Sequence, residues 1–194
     1  MADHMRDKAF PNGQPSAWVT AHLEGAPQHQ IVADIACGSS RHTRLALSAG
    51  FKVHAIDRDT SKLSDIVDNK SLTITETDLE DGSPFPLGQN SIGCVIVTNY
   101  LHRPILADIV SCLRDDGLLV YETFAVGNER HGRPSNPDFL LKPGELIDAT
   151  SARLIPIHYQ HTMLADPIRV VARLAAVGPA HKWVNDPPRL GLPF

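Results

Sequence analysis

The sequence of 194 residues predicts an α/β fold with a doubly wound, mostly parallel sheet. Short apolar segments alternate with helix-compatible segments, as is typical of strands buried between two helical layers. Near the carboxyl end, the segments 153–161 and 168–176 are joined through a short link at 164–167. A link this short requires the two strands to run antiparallel. We therefore expect seven strands, with an antiparallel hairpin closing the sheet and helices on both faces.

Each element has its own signal in the pattern. Strands are expected at 31–35, 51–56, 72–75, 91–98, 118–124, 153–161 and 168–176. Helices are expected at 16–23, 41–49, 61–67, 106–113 and 143–149, with a helix stop at Asp115-Asp116-Gly117. From 125 to 143 the chain is rich in Gly, Pro and Asn. A long loop directly after a strand is typical of a ligand-binding segment, so we assign this loop to the substrate side.

Length, charge and cysteine content exclude several classes of protein. The chain has room for one substantial core, and we expect a flexible segment at 1–14, a folded domain at 15–180 and a surface tail at 181–194. A net charge of −4 without a run of basic residues argues against a nonspecific grip on nucleic acid. No segment has the length and hydrophobicity of a membrane span or a signal peptide. Three cysteines without disulfide or metal spacing favour a cytoplasmic protein with no metal site.

The most informative segment is 31–59, which has the pattern of a strand-turn-helix-strand unit. The first strand ends near Asp34, and a turn of small residues surrounds Gly38. The second strand delivers Asp57 about twenty residues after the turn, where an acid can accept hydrogen bonds from both hydroxyls of a ribose. The unit therefore predicts a nucleoside-binding edge.

The charges in this unit distinguish two nucleoside cofactors. A nicotinamide dinucleotide needs several glycines so that backbone amides can reach its pyrophosphate, whereas the stretch 36–41 has Gly38 alone. Asp34, at the end of the first strand, would repel a diphosphate and favour a ligand with an ammonium or sulfonium group. S-adenosylmethionine (SAM) has both groups and no phosphate. The residues therefore favour SAM.

These motifs resemble those of the class I SAM-dependent methyltransferases, which share a Rossmann-like sheet. Asp34-Ile-Ala-Cys-Gly-Ser-Ser-Arg-His looks like their first motif, and Ala55-Ile-Asp-Arg-Asp looks like their second. Order and spacing agree from about 18 to 178, and the chain is most similar to small bacterial members of the tellurite-resistance type. Ala36 and Ser40 stand where glycines are common in the family.

The resemblance implies a set of residues around SAM and its product, S-adenosylhomocysteine. Asp57 would bind the ribose, Asp78 would approach the adenine amino group, and Leu79 would cover the ring. Asn99 follows the fourth strand, where the family lines the methyl-transfer pocket. The complete expected cofactor set is Asp34, Ala36, Gly38, Ser40, Asp57, Arg58, Asp78, Leu79 and Asn99.

The acceptor side is expected to combine the end of the fourth strand with the long loop. The candidates are Tyr100, His102, Asn128, Glu129 and Asn136. A general base is needed only if the acceptor must lose a proton. His102 is the first candidate, because imidazole titrates near neutrality, and Glu122 at the end of the fifth strand is the second. His158 and His161 are three apart on a predicted strand and so point to opposite faces, which argues against a metal site.

Together these features predict a SAM-dependent methyltransferase acting on a small molecule, with an RNA or protein acceptor left open. A non-catalytic SAM sensor or partner subunit would retain the same cofactor residues. A nicotinamide-dependent oxidoreductase would share the first strand-helix-strand unit and Asp57. The sequence does not identify the acceptor atom.

Overall fold

The computed structural model describes residues 13–189, and its strands form one mixed sheet. In chain order the strands are β1 Ile31–Ile35, β2 Lys52–Asp57, β3 Leu72–Glu76, β4 Ile92–Thr98, β5 Leu113–Phe124, β6 Ile155–Ala165 and β7 Ile168–Val177. Their spatial order is β3-β2-β1-β4-β5-β7-β6. The first five strands are parallel, whereas β7 runs antiparallel to both β5 and β6. The predicted seven-stranded sheet with its antiparallel hairpin is confirmed.

Four α-helices cover the described part of the sheet: α1 Ala17–His22, α2 Arg41–Ser48, α3 Leu106–Cys112 and α4 Glu145–Thr150. Ser16 caps α1, because its side chain accepts a hydrogen bond from the backbone N–H of Trp18 at 3.1 Å. Within residues 13–189, no helix is both long and apolar enough to cross a membrane.

Alternation along the strands divides the core into two layers. Val32 of β1 packs in the same cluster as Ala46 of α2, whereas Ile35 packs with Ile109 of α3. The even-numbered residues of β5 from 118 to 120 belong to the α1–α2 side, and the odd-numbered ones from 119 to 121 belong to the α3–α4 side. Helices therefore lie on both faces, as expected for a doubly wound sheet.

Two sequence-based expectations about local structure are wrong. The helix predicted at 61–67 is only a short 3₁₀ turn, Ser61–Leu63, because Ser61, Ser64 and Asp65 compete for backbone hydrogen bonds. The predicted helix stop Asp115-Asp116-Gly117 lies inside β5, which begins directly after α3. Pairing holds this segment extended, because the backbone carbonyls of Asp115 and Gly117 accept hydrogen bonds from Ala180 and Gly178 at 2.9 Å.

The predicted surface tail begins inside the core. Trp183 is 5% exposed and packs against Gly25, where an added Cβ would lie 2.2 Å from the indole. His181 is buried as well, and its Nε2 lies 2.9 Å from the carbonyl oxygen of Gly25. Residues 181–184 therefore seal the α1 side of the sheet. Of the two predicted terminal segments, 1–12 and 190–194 lie outside the described residues.

Candidate functional site

A pocket of about 340 Å³ opens where β1, β2 and β3 end, and we call it the acidic pocket. Parallel sheets bind ligands outside the carboxyl ends of their strands, at the point where the strand order reverses, here between β1 and β4. Three carboxylates and one guanidinium contribute to its wall. The lining residues are Ala36, Asp57, Arg58, Thr77, Asp78, Leu79, Glu80, Tyr100 and Phe139.

Asp57 is held in place at the end of β2. Its Oδ2 accepts a hydrogen bond from the backbone N–H of Gly38 at 2.8 Å, and its Oδ1 accepts one from Asp59 at 3.0 Å. Each carboxylate oxygen has a second lone pair. Asp57 can therefore accept two further hydrogen bonds from a diol in the pocket, and Gly38 orients it for that purpose.

Asp34 lies beneath the turn and is not part of the pocket wall. It is 1% exposed, and Thr43 of α2 donates a hydrogen bond from Oγ1 to Asp34 Oδ2 at 2.7 Å. Burial raises the pKa of Asp34 to about 6, although the Thr43 hydrogen bond opposes the shift. Asp34 ties β1 to α2, whereas the carboxylates on the pocket wall are those of Asp57, Asp78 and Glu80.

The turn between β1 and α2 has a left-handed backbone at three positions. The φ angles are +52° at Ala36, +48° at Gly38 and +62° at Ser40. Ser40 is buried and holds the turn from within, since its Oγ donates to the carbonyl oxygen of Lys62 at 3.2 Å and accepts from Nε of Arg44 at 3.0 Å. Two residues with a side chain thus occupy conformations that favour glycine.

We expect Ala36→Gly to stabilise the protein by about 1 kcal/mol. A left-handed residue with a Cβ costs about 1–2 kcal/mol, and the greater freedom of glycine in the unfolded chain offsets about half of the gain. Urea denaturation measures the change. Ala107→Gly, at an exposed position within α3, is the control and should destabilise by about 1 kcal/mol. A loss of stability in Ala36→Gly comparable to that of the control would contradict the argument.

Asp78, Leu79 and Tyr100 complete the far wall of the acidic pocket. Asp78 forms a turn in which its Oδ1 accepts the backbone N–H of Glu80 at 2.9 Å. The Tyr100 hydroxyl is buried without a hydrogen bond of good geometry to any of residues 13–189. Burial and the nearby Glu80 carboxylate raise the pKa of this phenol, which is therefore a neutral donor facing a negatively charged wall.

Two further cavities continue from the acidic pocket. An intermediate cavity of about 270 Å³ shares Glu80, Tyr100 and Phe139 with it. The intermediate cavity in turn shares Asn99 and Phe124 with a larger cleft of about 830 Å³ on the α1 side, which we call the basic cleft. Asn99 is therefore placed between two binding spaces, at the end of β4, with a φ of +54°.

Glu122 lies on the wall of the basic cleft and has two partners. Its Oε2 is 2.8 Å from Nε of Arg173, an ion pair without the alignment of a hydrogen bond, and it accepts the Ser16 hydroxyl at 3.1 Å. His102 lines neither the acidic pocket nor the basic cleft. Of the two candidate bases, the structure therefore brings Glu122 to a cavity.

The predicted loop residues have mainly architectural contacts. Asn128 is buried and uses both ends of its amide, donating to the Pro134 carbonyl at 3.0 Å and accepting the Val170 N–H at 3.1 Å. Glu129 accepts the Gly127 N–H at 2.7 Å. Asn136 caps the following turn by accepting the Asp138 N–H at 3.1 Å. Asn128 still contributes to the wall of the basic cleft, whereas Glu129 is exposed outside it.

Sequence reasoning missed Phe139, which lines both the acidic pocket and the intermediate cavity. Arg103 holds its backbone in place by donating to the carbonyl oxygens of Asp138 at 2.6 Å and Leu140 at 3.0 Å. The same guanidinium pairs with Glu145 at 2.6 Å. No pattern in the sequence links Arg103 to a loop 35 residues away. Glu80 was also missed, although the acid-rich turn at 78–81 was visible.

No protein-family model and no curated protein matches the sequence. Solved structures do match the fold. A SAM-dependent methyltransferase from Mesorhizobium loti has a TM-score of 0.65 at 13% identity, over 83% of this chain and 98% of its own. The chain has a methyltransferase fold. At 15% identity, the Burkholderia thailandensis 1,6-didemethyltoxoflavin-N1-methyltransferase has a TM-score of 0.62 over 90% of this chain and 80% of its own.

Some of the solved structures with this fold contain bound ligands. The Burkholderia structure contains 1,6-didemethyltoxoflavin and S-adenosylhomocysteine. Geranyl diphosphate C-methyltransferase from Streptomyces coelicolor, in complex with Mg²⁺, geranyl diphosphate and S-adenosylhomocysteine, has a TM-score of 0.62 at 15% identity, over 82% of this chain and 76% of its own. These neighbours differ in their acceptors, so the likeness extends to the fold and leaves the acceptor of this chain open.

Proposed function

We propose that this protein is a SAM-dependent methyltransferase that acts on a small-molecule acceptor. The observation that carries the proposal is Asp57, a carboxylate oriented by Gly38 N–H on the wall of a pocket at the carboxyl ends of β1–β3. An oriented carboxylate with free lone pairs suits a ribose diol. The methyltransferase fold supports the same reading.

The residues of the acidic pocket fit SAM in charge and in hydrogen-bonding groups. Asp57 would bind the ribose, and Asp78 and Leu79 would receive the adenine. Asp57, Asp78 and Glu80 give the wall a negative charge, which favours a ligand with ammonium and sulfonium groups over a dinucleotide. The buried Tyr100 hydroxyl, beside the Glu80 carboxylate, offers a donor to the same ligand. When bound, SAM supplies an electrophilic methyl group for an in-line displacement.

The chain's own residues would contribute mainly positioning and exclusion of water, on which methyl transfer depends most. Asn99 and Tyr100 lie between the acidic pocket and the basic cleft, where the acceptor atom must approach the methyl group. For an acceptor that must lose a proton, Glu122 and His102 are the proposed bases. Glu122 is the better placed of the two, because it lines the basic cleft.

Two finer assignments belong to the same proposal. The resemblance of the first motif to the tellurite-resistance type supports a small bacterial stand-alone enzyme. Cys37, Cys94 and Cys112 are buried and free, which supports a reducing, cytoplasmic location. Small-molecule acceptors are favoured because the Burkholderia and Streptomyces neighbours act on them.

Calorimetric titration with SAM, S-adenosylhomocysteine and NADH in parallel tests the cofactor. We expect micromolar binding of the first two and no binding of NADH. Binding of NADH alone would replace the proposal with an oxidoreductase. If SAM binds, a panel of small-molecule acceptors assayed for formation of S-adenosylhomocysteine separates an enzyme from a sensor. Tight SAM binding without turnover on any acceptor would favour the sensor.

A further inference from the structure

The basic cleft has a charge opposite to that of the acidic pocket and of the whole chain, whose net charge is −4. Four guanidinium groups and one imidazole face two carboxylates, Glu122 and Asp166, across about 830 Å³. The four arginines on its wall are Arg41, Arg133, Arg169 and Arg173, and the imidazole is that of His131. An excess of positive charge confined to one cavity of an acidic protein needs an explanation.

The two carboxylates leave three of the four arginines without a counter-charge inside the cleft. Glu122 is committed to Arg173 at 2.8 Å and to Ser16 at 3.1 Å, and the side chains of this ion pair are 3% and 13% exposed. Asp166 is exposed at the turn between β6 and β7. The cleft therefore retains positive charge on its Arg41, Arg133 and Arg169 groups.

Arg169 is the most informative of the three. It precedes Arg173 by four residues on β7, so both side chains lie on the same face of the sheet. Its Nε is buried and has no hydrogen-bond partner among residues 13–189. Burial, together with the charge of Arg169, lowers the pKa of Arg173 although Glu122 opposes the shift. Two guanidinium groups with one carboxylate leave a place for a second anion.

Building on the proposed methyl transfer, we propose that the acceptor is a small molecule with a phosphate or carboxylate group, which binds to Arg169 and Arg41 in the basic cleft. A guanidinium presents two parallel N–H donors that match either anion. With its anionic group in the cleft, the rest of the acceptor extends past Phe124 and Asn99 into the intermediate cavity. The methyl-accepting atom then faces the acidic pocket.

Three probes with one ring and different head groups test this assignment: phenyl phosphate, phenylacetate and benzyl alcohol. Affinities are measured by ligand-observed NMR at low salt, in a buffer free of phosphate and carboxylate. We expect one of the two anions to bind at least about tenfold more tightly than the alcohol, and the better anion identifies the head group. Equal binding of all three probes would overturn the proposal.

Arg169→Gln is expected to weaken binding of the better anion by about tenfold or more. Arg114→Gln is the matched control, because it removes the same charge at a position outside the basic cleft. Arg114 lies near the beginning of β5, where it pairs with Asp116. Arg169→Lys retains the charge but not the paired donors, so its affinity for the anion should lie between those of the natural protein and Arg169→Gln. If Arg169→Gln does not fold, Arg41→Gln carries the test. Equal affinity in the tested variant and in Arg114→Gln would refute the site.

SAM calorimetry on the same samples separates this inference from the function on which it rests. If SAM binds to all variants while only the Arg169 substitutions weaken anion binding, the methyltransferase assignment and the acceptor class are both supported. If SAM binds but the anions do not discriminate among the variants, the acceptor class is wrong and the methyltransferase assignment is unaffected. If SAM does not bind to the natural protein, the function itself fails.

Discussion

Asp57→Ala is expected to reduce the affinity for SAM by at least about 100-fold. The carboxylate is oriented by the N–H groups of Gly38 and Asp59, so its remaining lone pairs are fixed for the ribose hydroxyls. Two hydrogen bonds to a charged group contribute about 3 kcal/mol or more, which corresponds to about two orders of magnitude in Kd. Calorimetry with SAM measures the loss directly.

Asp59→Asn is the matched control for this substitution. Asp59 is an exposed acid two residues away that does not line the acidic pocket, and its Oδ1 accepts the Ser61 N–H at 3.0 Å. We expect its SAM affinity to change less than about threefold, because the surface charge that is lost is screened by water and salt. Undiminished SAM binding by Asp57→Ala would contradict the role of Asp57, on which the proposed function rests.

Acid is expected to destabilise the protein between pH 6 and pH 4, a range that begins above the ordinary pKa of carboxyl groups. Burial lowers the pKa of His22 to about 4 and that of His42 to about 3, from 6.5. Below pH 6.5 the unfolded chain protonates both imidazoles while the folded chain does not. Stability is therefore fully present above pH 6.5 and is lost as the pH falls towards 4.

Burial keeps these imidazoles neutral, and their hydrogen bonds show which ring nitrogen carries the proton. His22 Nδ1 lies 2.7 Å from the carbonyl oxygen of Trp18 and must donate to it, so its Nε2 accepts from Nδ1 of His158 at 3.0 Å. His42 Nε2 accepts the backbone N–H of Ser16 at 3.1 Å. A proton on either Nε2 would break these contacts, and Arg41 further disfavours it at His42.

Asp34 opposes the effect of the histidines. Its pKa is about 6 in the folded chain and 3.8 in the unfolded chain. Between these two values the folded chain binds a proton at Asp34 and the unfolded chain does not. Burial also lowers the pKa of His54, His158 and His181, so the histidines outweigh the aspartate by at least one proton. The free energy of unfolding should therefore fall by at least about 1.4 kcal/mol per pH unit between pH 6 and 4. Urea denaturation across this range measures the slope.

His42→Gln should remove about 1.4 kcal/mol per pH unit from that slope, since one titrating group is lost. His29→Gln, at an exposed position, is the control for the loss of one imidazole. The comparison uses slopes rather than absolute stabilities, because His42→Gln also loses buried hydrogen bonds. A slope in His42→Gln equal to that in His29→Gln would show that His42 does not titrate abnormally.

The strands and the position of Asp57 at the end of β2 could be predicted because their signals are local. Ile31–Ile35 and Ile92–Thr98 are short, mostly apolar segments, and Asp57 closes a strand at a fixed distance from the turn. The helix expected at 61–67 did not form although Leu63 is buried, because Ser and Asp in the segment compete for the backbone hydrogen bonds. Local signals determine an element only when they are strong.

The site itself depended more on tertiary structure. Asp34 was expected to face the cofactor, but the position of α2 buries it against Thr43. Arg41 and Arg169 are 128 positions apart and meet in one cleft only because β7 lies beside β5. Phe139 reaches the acidic pocket because Arg103 holds its loop. None of these contacts has a fixed spacing along the chain.

The sequence by itself determined the order of the elements, the antiparallel hairpin and the carboxylate at the end of β2, since each follows from hydrophobic periodicity or short-range spacing. Only the tertiary structure decided which charges share a cavity: acids at the ends of β2 and β3 in one pocket, arginines from α2 and β7 in another. Side chains distant in the chain become neighbours through sheet order and helix packing, and the electrostatics of a cavity depends on those neighbours.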